Sequence, residues 1–470
     1  MGLTNRGSQS PSPKLQFLPL DPSEPVPNSL AECLSILREI QNSKITISDP
    51  LLDNLCCWPN FCLDYYKDFF ENDEPILETL TETMRTLRRC AVHDKTATYL
   101  VRKDSNLLVF LNSVVPKIVA LQLQKDIFVK ILLQVILNLL SGEIEESKRL
   151  RREVLRSQLN ISEFMKLNIF PYEISALLYN AYCDQQITKE DLIMWVLKSF
   201  AEDMNHTNEY LDMLMGKIIS QDHIWQQFPQ LPSGYRLQIL TFLQEALTSP
   251  DKSTLIIKIN PPQYCLQCLA RTLSNSGNIV FQTIPHNTDS IKEVSVLLQV
   301  LAHLSSDELH LKHLSNEKDL LINCGVLLIN AHRLGKCEGS VFVPMQKLEE
   351  LQNPSEGLRG NLVFGFKADL VRLIANLCWK NQVMQDLARE AELIPVLLDC
   401  CNMDAKNPFI IQWAILAVRN ICENNKENQL IIGSLTQKKF INSEVLENFG
   451  VKLHDNGKRS TGIVMDRIKR

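Results

Sequence analysis

Apolar residues recur along most of the chain at intervals of three and four, the spacing that places them on one face of an α-helix. One such stripe consists of Leu80, Met84, Leu87 and Ala91. A wider apolar stripe at 131–140 is typical of a helix that neighbours cover on several sides. Alternation of apolar and polar residues over a useful length, which would indicate strands, is absent. The pattern therefore predicts an all-α protein.

A segment near the C-terminus repeats its pattern after 44 residues. The first copy places Leu370, Leu373, Ile374 and Leu377 on one helical face. The second copy places Ala414, Ala417, Val418 and Ile421 in the same register. Four identities that apolar patterning alone would not produce accompany the repeat: Asn376 with Asn420, Cys378 with Cys422, Asn381 with Asn425, and Gln385 with Gln429.

Two further helices are predicted between the copies, over 383–391 and from Leu393 onward, with Pro395 in the first turn of the second. Asn407 followed by Pro408 is typical of a helix start, with the asparagine as the cap. One repeat is then three helices in about 44 residues, which is the armadillo type. The predicted fold is a right-handed α-solenoid of armadillo-type helical repeats.

Amino-acid composition and the positions of glycine and proline divide the chain into five predicted segments. The predicted organisation is a disordered leader rich in Pro and Ser at 1–28, a helical repeat region at 29–334, a long loop rich in Gly and Pro at 335–364, C-terminal armadillo-type repeats at 365–436, and a polar tail at 437–470.

Charge and apolar content exclude several classes of function. With 49 Lys+Arg against 54 Asp+Glu, the net charge is −5, and no extended basic block indicates nucleic-acid binding. No apolar run is long enough to span a membrane, and the polar first residues do not resemble a signal peptide. The fourteen cysteines are therefore expected to be reduced thiols in a cytosolic or nuclear protein.

The chemistry-bearing motifs are weak. No nucleotide-binding glycine loop is present. Cys265 and Cys268 form a Cys-x-x-Cys pair without two further zinc ligands at matching spacing, so buried structural thiols are favoured. His310 and His313 are three apart, whereas helical zinc motifs space histidines by four. We therefore predict no metal, no cofactor and no catalytic residues.

A polar ridge on the repeat helix is the strongest candidate for a binding site. Arg372, Asn376 and Lys380 follow one another at intervals of four, and Leu416, Asn420 and Asn424 repeat the ridge. Asparagine amides both donate and accept, so a row of them can hold an extended peptide backbone. The alternative is that these asparagines cap neighbouring helix ends or lie in solvent.

The polar tail contains a candidate phosphorylation site. Lys458 and Arg459 precede Ser460 and Thr461, a basic pair before two hydroxyls, where a phosphate would reverse the local charge. The alternative is a solvated, weakly ordered terminus.

The C-terminal repeats resemble the ataxin-10 family. The resemblance rests on GFKADLVRLIANLC at 365–378, IPVLLDCCN at 394–402, NPF at 407–409 and AVRNI at 417–421, and it covers residues 363–432. A fainter likeness upstream includes Leu137 to Leu139, whereas Arg89 stands where the pattern has an asparagine.

The resemblance implies an armadillo-repeat adaptor or scaffold with roles in cytokinesis, neuronal survival and neurite outgrowth. It also implies a cytoplasmic protein with perinuclear, centrosomal or midbody association. The implied partners are signalling proteins such as the G-protein β subunit and the cytosolic glycosyltransferase that modifies Ser and Thr, together with self-association. An alternative from another class is a nuclear transport receptor-like solenoid that binds cargo.

Overall fold

The structure is a computed structural model. It describes residues 74–92, 94–100, 126–142, 145–155, 170–203, 207–248, 261–281, 288–345, 364–434, 451–455 and 461–465, with residues 37, 38, 55, 56, 59 and 165 besides. The chain divides into two compact units, residues 1–218 (unit 1) and 219–470 (unit 2). The predicted leader at 1–28 and most of the predicted loop and tail lie outside the described residues.

Unit 1 is helical throughout its described part, and helices α1 and α5 both pack against α3. The apolar stripe at Leu80, Met84 and Leu87 is fully buried in this stack. Its helices are α1 Glu74–Cys90, α2 Asp94–Leu100, α3 Asp126–Ser141, α4 Glu145–Leu155, α5 Pro171–Ala181, α6 Glu190–Glu202 and α7 Glu209–Ile219, the last of which ends one residue beyond the unit.

Unit 2 has a longer stack, in which α9 packs against α11, α11 against α14, and α14 against α17. Its helices are α8 Asp222–Gln227, α9 Ser233–Thr248, α10 Gln263–Ser276, α11 Thr288–Leu304, α12 Glu308–Leu314, α13 Lys318–Leu334, α14 Phe366–Leu377, α15 Gln382–Glu390, α16 Leu393–Asp399, α17 Ile410–Cys422 and α18 Lys426–Ser434, with 3-10 turns at Phe228–Gln230 and Gly277–Phe281.

The prediction of an all-α fold of stacked helical repeats is confirmed. The repeat unit of three helices corresponds to α14, α15 and α16, after which α17 begins the next unit. Leu370, Leu373 and Ile374 are fully buried, and Leu377 nearly so. The described residues also include one antiparallel strand pair that the apolar pattern did not indicate, β1 Val451–Asp455 with β2 Thr461–Met465.

Backbone geometry repeats with the sequence. The residue that precedes α14, Gly365, has a φ of 78°, and Phe409, in the same register before α17, has a φ of 62°. Lys380 and Asn424, after the two helices, have φ values of 50° and 58°. Both repeats therefore enter and leave this helix through left-handed residues, although only Gly365 adopts that conformation without steric cost.

Asn407 does not cap the helix that follows it, so that prediction was wrong. Helix α17 begins at Ile410, after the left-handed Phe409. The Asn407 Oδ1 instead accepts hydrogen bonds from the backbone N–H groups of Lys367 (2.9 Å) and Ala368 (3.2 Å). It thereby satisfies the free donors at the start of α14, a helix in the preceding repeat.

None of the helices within the described residues is long and apolar enough to cross a membrane.

Candidate functional site

Asn420 joins two successive repeats. It is 3% exposed, and its Nδ2 donates to the backbone carbonyl of Ala375 at 2.9 Å. Ala375 lies in the last turn of α14, where carbonyl groups have no partner within the helix. The buried amide therefore caps the end of the neighbouring helix, which is the structural alternative that the sequence left open.

Two other asparagines also join their helix to the C-terminal end of the preceding stacked helix, one through a backbone carbonyl and one through a serine hydroxyl. In unit 1, the Asn138 Nδ2 donates to the carbonyl of Arg88 at 3.0 Å, in the last turn of α1. In unit 2, the Asn376 Nδ2 donates to the Ser305 hydroxyl at 2.9 Å, directly after α11. The asparagine of the repeat helix is thus a recurring clamp between neighbouring helices.

Other polar residues that are identical in the two repeats also form hydrogen bonds to nearby backbone groups. The Gln385 Nε2 donates to the Cys378 carbonyl at 3.3 Å, and the Gln429 Nε2 donates to the Cys422 carbonyl at 2.8 Å. Asn381 caps α15 by accepting from Met384 N–H at 3.3 Å. These polar residues recur because each repeat needs the same closing bonds.

Arg372 is the member of the predicted ridge that both reaches the surface and holds a defined position. Its guanidinium lies 4.8 Å from the centre of the Trp413 ring, and its Nη2 donates to the Ser306 hydroxyl at 2.8 Å. Both Arg372 and Trp413 are half-buried. Burial lowers the pKa of Arg372, and Asp369, one turn earlier on α14, acts in the opposite direction.

Lys380 and Asn424 do not continue the ridge along a helix, contrary to the spacing argument. Helix α14 ends at Leu377 and α17 at Cys422, so both residues lie beyond a helix end in a left-handed conformation. Both are exposed, and the Lys380 ammonium lies 4.2 Å from the Trp379 ring centre. They therefore do not form a row with Asn376 along one helix.

Aromatic and titratable neighbours of Arg372 were not found from the sequence. Trp413 occupies, in the second repeat, the register position of Asp369 in the first, so the two copies differ here and the repeat does not indicate the contact. Burial raises the pKa of Asp369 to about 7. On the neighbouring helix α11, burial is also the largest cause that lowers the pKa of His303. Arg372, Trp413, Asp369 and His303 form what we call the Arg372–Trp413 surface.

The cysteine and histidine pairs are placed as ordinary helix residues. Cys265 and Cys268 are buried in α10, and burial raises the pKa of both thiols, which favours the protonated form. His310 and His313 lie on α12, where the Asp307 side chain caps the helix start. Within the part of the chain that the structure describes, no group of three or more His, Cys, Asp or Glu side chains could hold a metal ion. Ser460 lies outside the described residues.

The stacked helices, joined by asparagine amides at the three helix ends described above, define a helical-repeat protein. A family model described as "Spinocerebellar ataxia type 10 protein domain" matches residues 366–463. Ataxin-10 of Homo sapiens is 28% identical over 246 residues, 51% of this chain and 50% of the human protein. Ataxin-10 of Xenopus tropicalis is 32% identical over 197 residues, 40% of each protein. The resemblance to the ataxin-10 family seen in the sequence is confirmed over these parts of the chain.

Sequence identity is higher over a shorter aligned segment. The ataxin-10 homolog of Dictyostelium discoideum is 42% identical over 89 residues, 19% of this chain and 15% of that protein. Among solved structures, an engineered protein gives a TM-score of 0.30 at 13% identity, covering 84% of this chain and 91% of its own. The chain spans about half the length of the human and Xenopus relatives, or less.

Proposed function

We propose that this protein is a non-enzymatic adaptor or scaffold of the ataxin-10 type, which binds other proteins through its stacked helices. The observation that carries the proposal is the contact between Arg372 and Trp413 on neighbouring helices α14 and α17. Arginine and tryptophan are the residue types that most often dominate protein interfaces.

The side chains of the Arg372–Trp413 surface are held in place before a partner binds. The guanidinium is held by the Ser306 hydroxyl and the Trp413 ring, so a partner does not have to immobilise a freely rotating side chain. Asp369 beside it is half-buried, and burial raises the pKa of its carboxyl to about 7, so the arginine supplies the larger charge of the pair at neutral pH. Exposed Lys380 and Asn424 can extend the contact at the helix ends.

The cellular role is proposed from the resemblance to the ataxin-10 family. We assign the protein to cytokinesis, neuronal survival and neurite outgrowth, in the cytoplasm and at perinuclear, centrosomal or midbody sites. The proposed partners are the G-protein β subunit, the cytosolic Ser/Thr glycosyltransferase and a second copy of the chain. The match of residues 366–463 to the ataxia type 10 domain supports these assignments.

Affinity purification of the full chain with matched variants tests the proposal. We expect Arg372→Ala with Trp413→Ala to lose partners that the wild-type chain retains, because loss of a central interface residue weakens binding by about 30-fold or more. The control is Gln412→Ala, an exposed residue of α17 next to Trp413. If the double variant and the control retain the same proteins as wild type, this surface is not the binding site.

A further inference from the structure

We infer that a second surface, in unit 1, binds a basic segment of a partner protein through aromatic rings and a carboxylate. It consists of Tyr172, Tyr179, Tyr210 and Glu209, on α5 and α7, and we call it the tyrosine surface. It lies in a different unit from the Arg372–Trp413 surface and does not depend on the function proposed there.

The three tyrosine rings form one contact cluster. The Tyr172 and Tyr210 ring centres are 5.4 Å apart in an edge-to-face arrangement, and those of Tyr179 and Tyr210 are 6.1 Å apart. Tyr172 is 45% exposed, and the other two rings are half-buried. Aromatic rings that pack on each other and still face solvent provide a large contact area at little conformational cost.

The backbone beneath the rings is fixed by hydrogen bonds of the buried Asn208. The Asn208 Nδ2 donates to the Ser175 hydroxyl at 2.9 Å, joining the start of α7 to α5. The Asp203 carboxylate accepts from the Asn208 backbone N–H at 2.9 Å. The tyrosine positions are therefore set before any partner arrives.

The charge of the surface selects a cation. The Tyr172 hydroxyl donates to the exposed Glu209 carboxylate at 3.4 Å. Glu173, the neighbouring acid, is buried and lies 3.4 Å from the Lys130 ammonium. Among the residues that the structure describes, no cationic side chain forms an ion pair with Glu209. An arginine or lysine of a partner can stack on a tyrosine face and pair with this carboxylate at once.

Two features of the same region agree with that preference. Desolvation is the largest cause that raises the pKa of Tyr172, and the nearby carboxylates of Glu209 and Glu173 act in the same direction. The Lys130 ammonium lies 5.8 Å from the centre of the Phe170 ring, at the start of α5. The protein therefore already places one of its own cations on an aromatic face beside the tyrosine surface.

Fluorescence anisotropy with a labelled Gly-Arg repeat peptide tests the inference on the full chain. We expect Tyr172→Ala to weaken binding about 3- to 30-fold, the range for loss of a cation–π contact. Glu209→Gln should weaken it about 2- to 5-fold, with a smaller salt dependence than wild type. The matched controls are Tyr264→Ala, an exposed tyrosine of unit 2, and Glu190→Gln, which like Glu209 is an exposed first residue of a helix.

The outcomes separate clearly. Weakened binding in both tyrosine-surface variants, with unchanged binding in both controls, supports the inference. Absence of peptide binding by wild type, equal binding of a Gly-Glu repeat peptide, or equal effects in variants and controls would overturn it. Glu209 is exposed, so its variant is informative even if Tyr172→Ala unfolds. Concentration-dependent dimerisation that Tyr172→Ala abolishes, without peptide binding, would assign the surface to a second copy and also overturn the inference.

Discussion

Replacing Asn420 with alanine tests whether the repeat asparagine is a structural clamp. The change leaves the Ala375 carbonyl buried without its 2.9 Å donor, which costs about 1–3 kcal/mol. Alanine is the better helix former and returns about 0.5 kcal/mol. The expected net loss of unfolding free energy is therefore about 0.5–2.5 kcal/mol, or about 1–10 °C in melting temperature.

Thermal melting followed by far-UV circular dichroism measures this loss, and two variants calibrate it. Asn376→Ala should cost less, because Asn376 is half-buried and its acceptor, the Ser305 hydroxyl, also bonds to Ala302. Gln412→Ala, at an exposed position of the same helix as Asn420, should stay within about 0.5 kcal/mol of wild type. An Asn420→Ala protein that melts like the Gln412→Ala protein but loses partner affinity would refute the clamp and return Asn420 to the binding ridge.

Three other properties can be checked. Burial raises the pKa of Asp369 to about 7, so the folded state retains a proton that the unfolded state releases. The free energy of unfolding therefore falls as pH rises from about 4 to about 7. In urea unfolding above pH 7, Asp369→Asn should be more stable than wild type by about 1–4 kcal/mol, with no gain in acid. Asp404→Ala should cost about 3–5 kcal/mol in the same assay, because it leaves the buried Lys367 ammonium, 4.0 Å away, without its carboxylate. Maleimide labelling followed by mass spectrometry should modify the exposed Cys337 in the native protein and the buried Cys378 only after unfolding, and equal labelling of both would contradict the packing of α14.

The sequence could predict the helices and the period because both depend on local spacing. The stripe from Leu370 to Leu377 needs only the geometry of one helix to be recognised, and the structure buries it. Asparagine occurs at both 376 and 420, which also indicated that a polar contact repeats along with the apolar packing. What the sequence could not decide was the acceptor of each amide, because that atom belongs to another helix of the fold.

Asn407 shows how a local rule fails in a repeat protein. Asparagine before proline is a valid cap signature, and here the side chain does cap a helix. The backbone between Asn407 and Ile410 passes through the left-handed Phe409, so α17 starts too late to receive the bond. The free N–H groups of α14 lie within reach instead. Trp413 escaped prediction for a related reason, since its contact with Arg372 joins positions that do not match between repeats.

Positions that are identical in the two repeats and positions that differ between them have different roles in the stack. Positions identical in both copies, such as Asn420 and Gln385, use their polar atoms to close one repeat onto the next. A partner cannot use those atoms without breaking the stack. Positions that differ between copies, such as Arg372 against Leu416, make no bond that the fold requires in every repeat. In the proposed binding role, specificity comes from the differing positions. We expect substitutions there to change affinity and substitutions at identical positions to change the melting temperature.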